Sequence, residues 1–209
     1  CYKVLKILSK KKNKINFVTD EFKIIEKENE NFILKKKKSL VSYKLIEEFM
    51  VIANENIAKF LKNNNLNSIF RNHEKPKLNK ITELKKLLLD YSIISNSKFN
   101  DQKDFNNILN YINKDNFFLN DILLKTQSKA YYSCKNFGHF GLGLDYYTHF
   151  TSPIRRYSDL RVHRDVLDFI LEGKKNSVEN KLNDHLTSQE KKSDSIERKI
   201  LERACSLYI

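Results

Sequence analysis

The stretch 149–165, HFTSPIRRYSDLRVHRD, decides the fold of this chain. It predicts the start of a helix, because Ser152 or Thr151 can accept hydrogen bonds from the free N–H groups of a first helical turn. Pro153 follows at a position where the first residue of a helix tolerates proline. Gly173 predicts the end of this helix, since glycine readily adopts the left-handed conformation that terminates one.

The predicted helix has one broad apolar arc that also contains four ionisable side chains. At about 100° per residue, the apolar members are Leu160, Val162, Val166, Leu167, Phe169, Ile170 and Leu171. Arg155, Arg156, Asp159 and His163 fall within the same arc. Free N–H groups and the helix dipole favour an anion at a helix N-terminus, and two arginines beside two hydroxyls suit a phosphate. A buried Arg156–Asp159 ion pair is the structural alternative.

The stretch resembles the HFTSPIRRYxDLxxHR signature of the ribonuclease II/ribonuclease R family, exoribonucleases that share the RNB catalytic domain, and it is most similar to the ribonuclease R branch. Other segments that resemble family motifs in register are INF at 15–17, LIEEFMVIAN at 45–54, SIFRNHEKP at 68–76 and NFGHFGLGL at 136–144. The resemblance implies that residues 1–209 are the C-terminal half of one RNB exoribonuclease domain. On this expectation the N-terminal metal-binding half and the flanking OB-type domains would lie outside the chain, and a start at Cys1 rather than Met would be that of a fragment.

The fold class expected for this half-domain is α+β, dominated by helices, with short antiparallel strands near residues 14–35, 66–72 and 138–145. Besides the helix after Pro153, apolar periodicity predicts helices over 40–62, 77–92, 101–113, 117–132 and 180–209. Three of the four glycines, Gly138, Gly141 and Gly143, fall just before the signature stretch, which suggests close backbone approach or bulges there.

The resemblance implies part of a 3′→5′ exoribonuclease that hydrolyses single-stranded RNA processively to nucleoside 5′-monophosphates. This half would clamp the RNA 3′ end and the scissile phosphate, and alone it is expected to be inactive. Magnesium is the cofactor implied for the intact enzyme, with aspartate ligands upstream and no metal ligand assigned in this chain. The alternative is a non-catalytic RNA-binding RNB homologue. A DNA-binding or chromatin protein would explain the charge but not the TSPIRR motif.

The family match assigns the catalytic role to Arg155, which would bind the scissile phosphate and offset its developing charge. In the same segment it assigns Thr151, Ser152 and Arg156 to RNA binding. The family keeps arginine at the first of the two adjacent positions, whereas the second varies to lysine.

Phe17, Glu47 and His73 are RNA-binding residues by the same resemblance. Phe17 would stack on the 3′-terminal base, although a phenylalanine in a strand is usually core. Glu47 would bind a ribose hydroxyl, which distinguishes RNA from DNA. Periodicity alone does not choose between Glu47 and Glu48, and a surface glutamate is the alternative. His73, just before a turn, is otherwise more often structural, and Glu190 either approaches the RNA or lies on a solvated helix face.

Composition favours a polyanion partner, because the net charge is +13 and the pI is about 9.5. An AT-rich genome would also enrich lysine and asparagine. Three widely spaced cysteines without metal-ligand spacing are typical of a reduced, cytoplasmic protein. No apolar run approaches the roughly 18 residues of a membrane span. Single-stranded RNA is the expected partner, with no membrane and no DNA partner, and a monomer is expected.

Overall fold

A computed structural model describes residues 3, 4, 7, 14–17, 22–27, 31–36, 40–91, 93, 99, 101–112 and 117–208. They form the helix-dominated α+β fold that the sequence predicts. The strands pair antiparallel as β1 (Phe22–Lys27) with β2 (Asn31–Lys36) and β3 (Phe70–Asn72) with β4 (Tyr131–Ser133). The helices are α1 (Val41–Asn63), α2 (Leu78–Asp90), α3 (Gln102–Tyr111), α4 (Phe117–Thr126), α5 (Tyr157–Glu172) and α6 (Asn180–Tyr208).

Two of the three predicted strand regions contain strands, and the third is a tight turn. The β1–β2 hairpin lies within the region near 14–35, and β3 lies within 66–72. Near 138–145 the chain forms single bridges at His139 and a short 3-10 helix, Phe140–Leu142. Gly143 has φ of 64° and turns the backbone, so that the His139 N–H donates to the Leu144 carbonyl at 2.7 Å.

The helix predicted over 117–132 is shorter in the structure, because α4 ends at Thr126 and residues 131–133 form β4. Local propensity does not reveal β4, since its partner β3 is some sixty residues earlier in the chain.

The helix predicted to start at Pro153 begins later, at Tyr157, and Arg156 is its N-cap residue. Residues 149–156, here the pre-α5 loop, contain one turn instead, in which the Ser152 carbonyl accepts from the Arg155 and Arg156 N–H groups at 3.3 and 3.0 Å. The predicted end is confirmed, because α5 stops at Gly173 with φ of 65°.

Three apolar clusters hold the described residues together, and the smallest contains Val51, Leu144 and Tyr147. The first contains residues from α2, α3 and α4 together with Ile15 and Phe140. The second contains Val162 and Val166 of α5 with residues from the end of α1, from β3 and β4, and from α6. The second cluster therefore joins β3 and β4 to α5 and α6. No helix in the described part of the chain is long and apolar enough to cross a bilayer.

Candidate functional site

The pre-α5 loop is held in place by hydrogen bonds to its backbone. The Phe150 N–H donates to Asn54 Oδ1 of α1 at 3.0 Å, and the Phe150 carbonyl lies 2.9 Å from His163 Nε2 of α5. The His163 ring also stacks on Phe150, with 3.8 Å between centroids and 4° between planes. The Ser152 N–H donates to Asp159 Oδ1 at 2.8 Å. Since α1 and α5 both hold it, the loop is a rigid platform for the side chains that it carries.

Asp159 is the main anchor of this loop. Its side chain is 0% exposed and accepts from the Ser152 N–H, from Arg156 Nη2 at 2.9 Å and from Ser158 Oγ at 3.0 Å. The Arg156–Asp159 pair offered by the sequence as the structural alternative is therefore present. Buried charges need such partners, because an uncompensated carboxylate in the interior is costly.

Arg155 differs from Arg156 in having a free guanidinium. Its backbone N–H takes part in the turn, its side chain is exposed, and no described residue accepts a hydrogen bond from it. Thr151 Oγ1 is buried without a hydrogen-bond partner among the described residues, as is Arg156 Nε. The backbone N–H and carbonyl of Ser152 form the hydrogen bonds that hold the loop, and no described hydrogen bond uses the Ser152 hydroxyl. The loop thus presents one guanidinium without a described partner, which can bind an oxyanion, and it contains two buried polar atoms that no described residue satisfies.

Arg155 and Arg156 line an open cleft of about 720 Å³ between α5 and α6. Tyr132 and Ser158 lie on the same side, whereas α6 contributes the carboxylates of Glu190, Asp194 and Glu197 together with His185 and polar side chains. The cleft is therefore asymmetric in charge. A bound anion would be held from the α5 side.

Glu190 is 31% exposed and lines the cleft, and it also forms an ion pair that neither expectation included. It forms a bidentate pair with Arg71 of β3, at 2.6 Å to Nη1 and 3.0 Å to Nη2. The Arg71 side chain is only 12% exposed, and its guanidinium lies 4.6 Å from the centre of the Tyr132 ring. This pair joins α6 to β3 and leaves the carboxylate of Glu190 already occupied.

A row of rings, two buried tyrosines and three half-buried histidines, begins at Tyr132 in the cleft. Tyr132 Oη lies 2.9 Å from His149 Nδ1, and the rings of His149, Tyr147, His139 and His73 follow with 5.0 to 5.8 Å between successive centroids. Burial, and then the charges of nearby arginines, lower the pKa of His149 to about 2. Burial, and then neighbouring His73 and Arg71, lower the pKa of His139 to about 3. Both imidazoles are therefore neutral near pH 7.

Phe17 and His73 line a second open cleft, of about 950 Å³. Phe17 is half-buried and packs against the first apolar cluster, so one side of its ring serves the core. His73 Nδ1 accepts from the Gly141 N–H at 2.9 Å, and burial lowers its pKa. Tyr131 faces this cleft while Tyr132 faces the first, as expected for successive residues of a strand. Phe17 and His73 thus line one cleft and the two adjacent arginines line the other, whereas Thr151, Ser152 and Glu47 line neither.

Glu47 and Glu48 are distinguished by the structure. Glu47 is exposed and forms an ion pair with Lys14, whereas Glu48 is buried on the inner face of α1. The exposed glutamate is the one that the family match selects. Its availability to a ribose depends on exchanging the Lys14 contact.

Sequence reasoning missed Arg71, Tyr132, His139 and His149 as parts of this arrangement. His139 and His149 lie inside quoted motifs, and Arg71 lies two residues before His73 in another, so the motifs themselves marked these positions. The positions of the histidines in the sequence also indicate this arrangement, since three of the five histidines lie in the row of rings.

No group of three or more His, Cys, Asp or Glu side chains that could hold a metal ion occurs among the described residues. The described part of the chain therefore provides no cluster of ligands for magnesium. The arginines and hydroxyls of the pre-α5 loop are suited to an anion instead.

Comparison with known proteins places these features in context. A family model described as RNB domain matches residues 1–172. Ribonuclease R of Mycoplasmopsis pulmonis (strain UAB CTIP) is 38% identical over 212 residues, covering 95% of this chain and 29% of that protein. Ribonuclease R of Escherichia coli (strain K12) is 34% identical over 169 residues, covering 79% and 21%. The chain spans about a fifth to a third of the length of these curated relatives.

Solved structures agree with this comparison. Mycoplasma genitalium RNase R in complex with ribose methylated single-stranded RNA is similar to this chain with a TM-score of 0.85 and 29% identity, covering 99% of this chain and 35% of that one. The same enzyme in complex with double-stranded RNA gives a TM-score of 0.86 and 28% identity, covering 99% and 40%. Yeast Ssd1, a pseudonuclease, shares the fold at 23% identity and a TM-score of 0.59, covering 73% and 20%.

Proposed function

Since this chain belongs to the RNB domain family, we propose that the full-length protein is an exoribonuclease that degrades single-stranded RNA processively from its 3′ end. The products are nucleoside 5′-monophosphates. The observation that carries the proposal is the anchored pre-α5 loop, in which Arg156 pairs with Asp159 while the Arg155 guanidinium has no partner among the described residues. A relative of 29% identity and nearly the same fold over this region is described in complex with single-stranded RNA.

Arg155 binds the scissile phosphate in this proposal. Its guanidinium is exposed at the cleft and has no described partner to exchange, so binding an anion breaks no existing ion pair. A donor held in advance on a rigid loop stabilises charge that develops in the transition state without reorganising. Arg156 is held by Asp159 and therefore supports the loop and adds positive potential beside the anion.

Thr151 and Ser152 provide hydroxyls to the phosphate beside Arg155. The buried and unpaired Thr151 Oγ1 supports this role, because native structures rarely leave a buried hydroxyl without a partner. The Ser152 hydroxyl is available since only its backbone groups hold the turn.

Phe17, His73 and Glu47 bind the nucleotide at the 3′ end. Phe17 offers the uncovered side of a ring that the core already orients, and aromatic stacking holds any base. His73 is neutral and positioned by the Gly141 N–H. Glu47 accepts a ribose hydroxyl in place of its contact with Lys14, which would give preference for RNA over DNA.

The remaining parts of the proposal concern the full-length protein. The chain is the C-terminal half of its RNB domain, and a carboxylate cluster upstream holds magnesium. The protein is a cytoplasmic monomer that acts on single-stranded RNA and has neither a DNA nor a membrane partner. The positive charge of the chain supports a polyanionic substrate.

The test is degradation of a 5′-labelled RNA oligonucleotide by the full-length protein, with and without magnesium, beside the same sequence as DNA. We expect products that shorten one nucleotide at a time from the 3′ end, dependence on the metal, and no degradation of DNA. Internal cuts or equal activity on DNA would contradict the proposal. RNA binding without any degradation would identify a non-catalytic RNB homologue instead.

A further inference from the structure

We propose that Asp159 is a positioning residue with two effects: it leaves the Arg155 guanidinium unpaired, and it selects the tautomer of His149. It acts through a hydrogen-bonded chain of Ser158, Tyr132 and His149. The part that concerns Arg155 rests on the proposed function, whereas the tautomer does not.

Asp159 connects three points of the pre-α5 loop at once. Its carboxylate receives the Ser152 N–H in the middle of the loop and the Arg156 guanidinium at its end. Through Ser158 and Tyr132 it also reaches His149, the first residue of the loop. Because the side chain is 0% exposed, water does not compete for these bonds. One buried carboxylate therefore holds the loop in position at these three points.

The direction of the hydrogen bonds follows from counting protons. Three donors converge on Asp159, so the carboxylate acts only as an acceptor. The single hydroxyl proton of Ser158 then points to Asp159 Oδ2, at 3.0 Å. Ser158 Oγ must accept from the Tyr132 hydroxyl, 3.3 Å away, and Tyr132 Oη in turn must accept from His149 Nδ1, at 2.9 Å.

His149 consequently carries its proton on Nδ1. The ring is neutral and has a single N–H, so Nε2 is left as an acceptor. Without the charge at Asp159, Ser158 is free to donate to Tyr132, and the whole chain can run in the opposite direction. A buried carboxylate thus selects one of two arrangements of the same four side chains.

The same carboxylate determines which arginine is available. It engages Arg156, which removes that guanidinium from competition for the anion, and it fixes the turn from which Arg155 extends. Neutralising Asp159 would release Arg156 and loosen the Ser152 anchor. Both changes displace Arg155 from its place, and a displacement of about 1 Å can lower a rate by about 100-fold.

Asp165 provides a matched control on the same helix. It is also buried, with a side chain that is 3% exposed, and it pairs with Arg161 at 3.1 Å. It accepts from Ser68 Oγ at 2.7 Å and from Asn176 Nδ2 at 3.3 Å. None of these partners belongs to the pre-α5 loop. Asp165→Asn therefore removes a comparable buried charge without disturbing the loop.

The experiment compares Asp159→Asn, Asp165→Asn and Ser158→Ala in the full-length protein. Ser158→Ala breaks the chain while leaving the buried ion pair intact, so it keeps the test valid if Asp159→Asn does not fold. With ¹⁵N-labelled histidine, the ring nitrogen shifts of His149 should report an Nδ1–H tautomer in the unmodified protein and in Asp165→Asn. Ser158→Ala and Asp159→Asn should lose that preference.

The kinetic result separates positioning from stability. We expect Asp159→Asn to lower kcat by about 10- to 100-fold with little change in RNA affinity, and Asp165→Asn to leave kcat unchanged. Equal loss of kcat in the two aspartate variants, or a His149 tautomer unchanged by Ser158→Ala and Asp159→Asn, would overturn the inference. If the unmodified protein degrades no RNA, the proposed function fails, and the tautomer still decides whether Asp159 directs the chain.

Discussion

Acidification to about pH 4.5 should destabilise this chain through two half-buried histidines, His139 and His149. Their pKa values in the folded protein are lowered from 6.5 to about 3 and about 2. When the pH falls through 6.5, the unfolded chain binds protons at both positions and the folded chain does not. Above about pH 6.5 the two histidines are neutral in both states and do not lower the free energy of unfolding. As the pH falls below 6.5 toward their folded pKa values, the free energy of unfolding decreases progressively.

The size of the effect follows from these pKa values. Each unit of pH below 6.5 favours the unfolded state by about 1.4 kcal/mol for each histidine. At about pH 4.5 the two together remove about 5 kcal/mol, which is comparable to the whole free energy of unfolding of many domains. At about pH 5.5 the loss is about half as large.

The assay is urea unfolding of the 209-residue chain at several pH values, followed by tyrosine fluorescence, since the chain has ten tyrosines and no tryptophan. His149→Asn places an amide near the position of Nδ1 but does not titrate. It should remove about half of the acid sensitivity below pH 6.5. His185→Asn on the exposed face of α6 is the control and should remove none. If His149→Asn leaves the pH dependence as steep as before, burial of this imidazole is not the cause.

Two further variants test the substrate pocket and the link between α6 and β3. Phe17→Ala should lengthen the shortest RNA product and weaken RNA binding by about 1–3 kcal/mol, and an unchanged product ladder would show that Phe17 serves only the core. Glu190→Ala leaves Arg71 buried without its carboxylate and should lower the free energy of unfolding by about 3 kcal/mol. Glu55→Ala, which breaks an i,i+4 pair on α1, should cost no more than about 0.5 kcal/mol in the same urea assay. Equal losses in these two glutamate variants would contradict the role given to the Arg71 pair.

The sequence predicted the end of α5 correctly but not its start. Gly173 has a local reason to end a helix, and that reason holds in the structure. The hydroxyl and proline signal at 151–153 starts only a single turn, because Arg156 is extended, with φ of −124° and ψ of 119°, and interrupts the helical conformation before Tyr157. The Arg156 side chain pairs with Asp159 in this conformation, and local propensity does not reveal such a contact.

The apolar arc of α5 was right only in part. Val162 and Val166 are buried, whereas Leu167, Ile170 and Leu171 are 52, 61 and 77% exposed. Packing within the described residues covers only the side of α5 that faces β3, β4 and α6. Periodicity identifies apolar positions, and it does not say which of them a neighbouring element covers.

In the candidate site, too, local sequence features were predictable and tertiary contacts were not. The motifs located the pre-α5 loop, and the adjacent arginines already suggested that one of them pairs with Asp159. The row of rings from Tyr132 to His73 was not predictable, since it joins β3, β4 and two loops whose contacts depend on the fold. The bidentate Arg71–Glu190 pair spans 119 positions of sequence and was hidden for the same reason.

The measurement that tests the central claim most directly is the rate of RNA hydrolysis by Arg155→Ala in the full-length protein. The loss of one preorganised donor should lower kcat by about 100- to 1000-fold, whereas RNA affinity should change little because many other cations supply it. Arg155→Lys should not restore the rate fully, since an ammonium group lacks the bidentate fork. Arg164→Ala, an exposed arginine later in α5, should leave kcat unchanged. An Arg155→Ala protein with an intact kcat would contradict the claim that this side chain acts on the scissile phosphate.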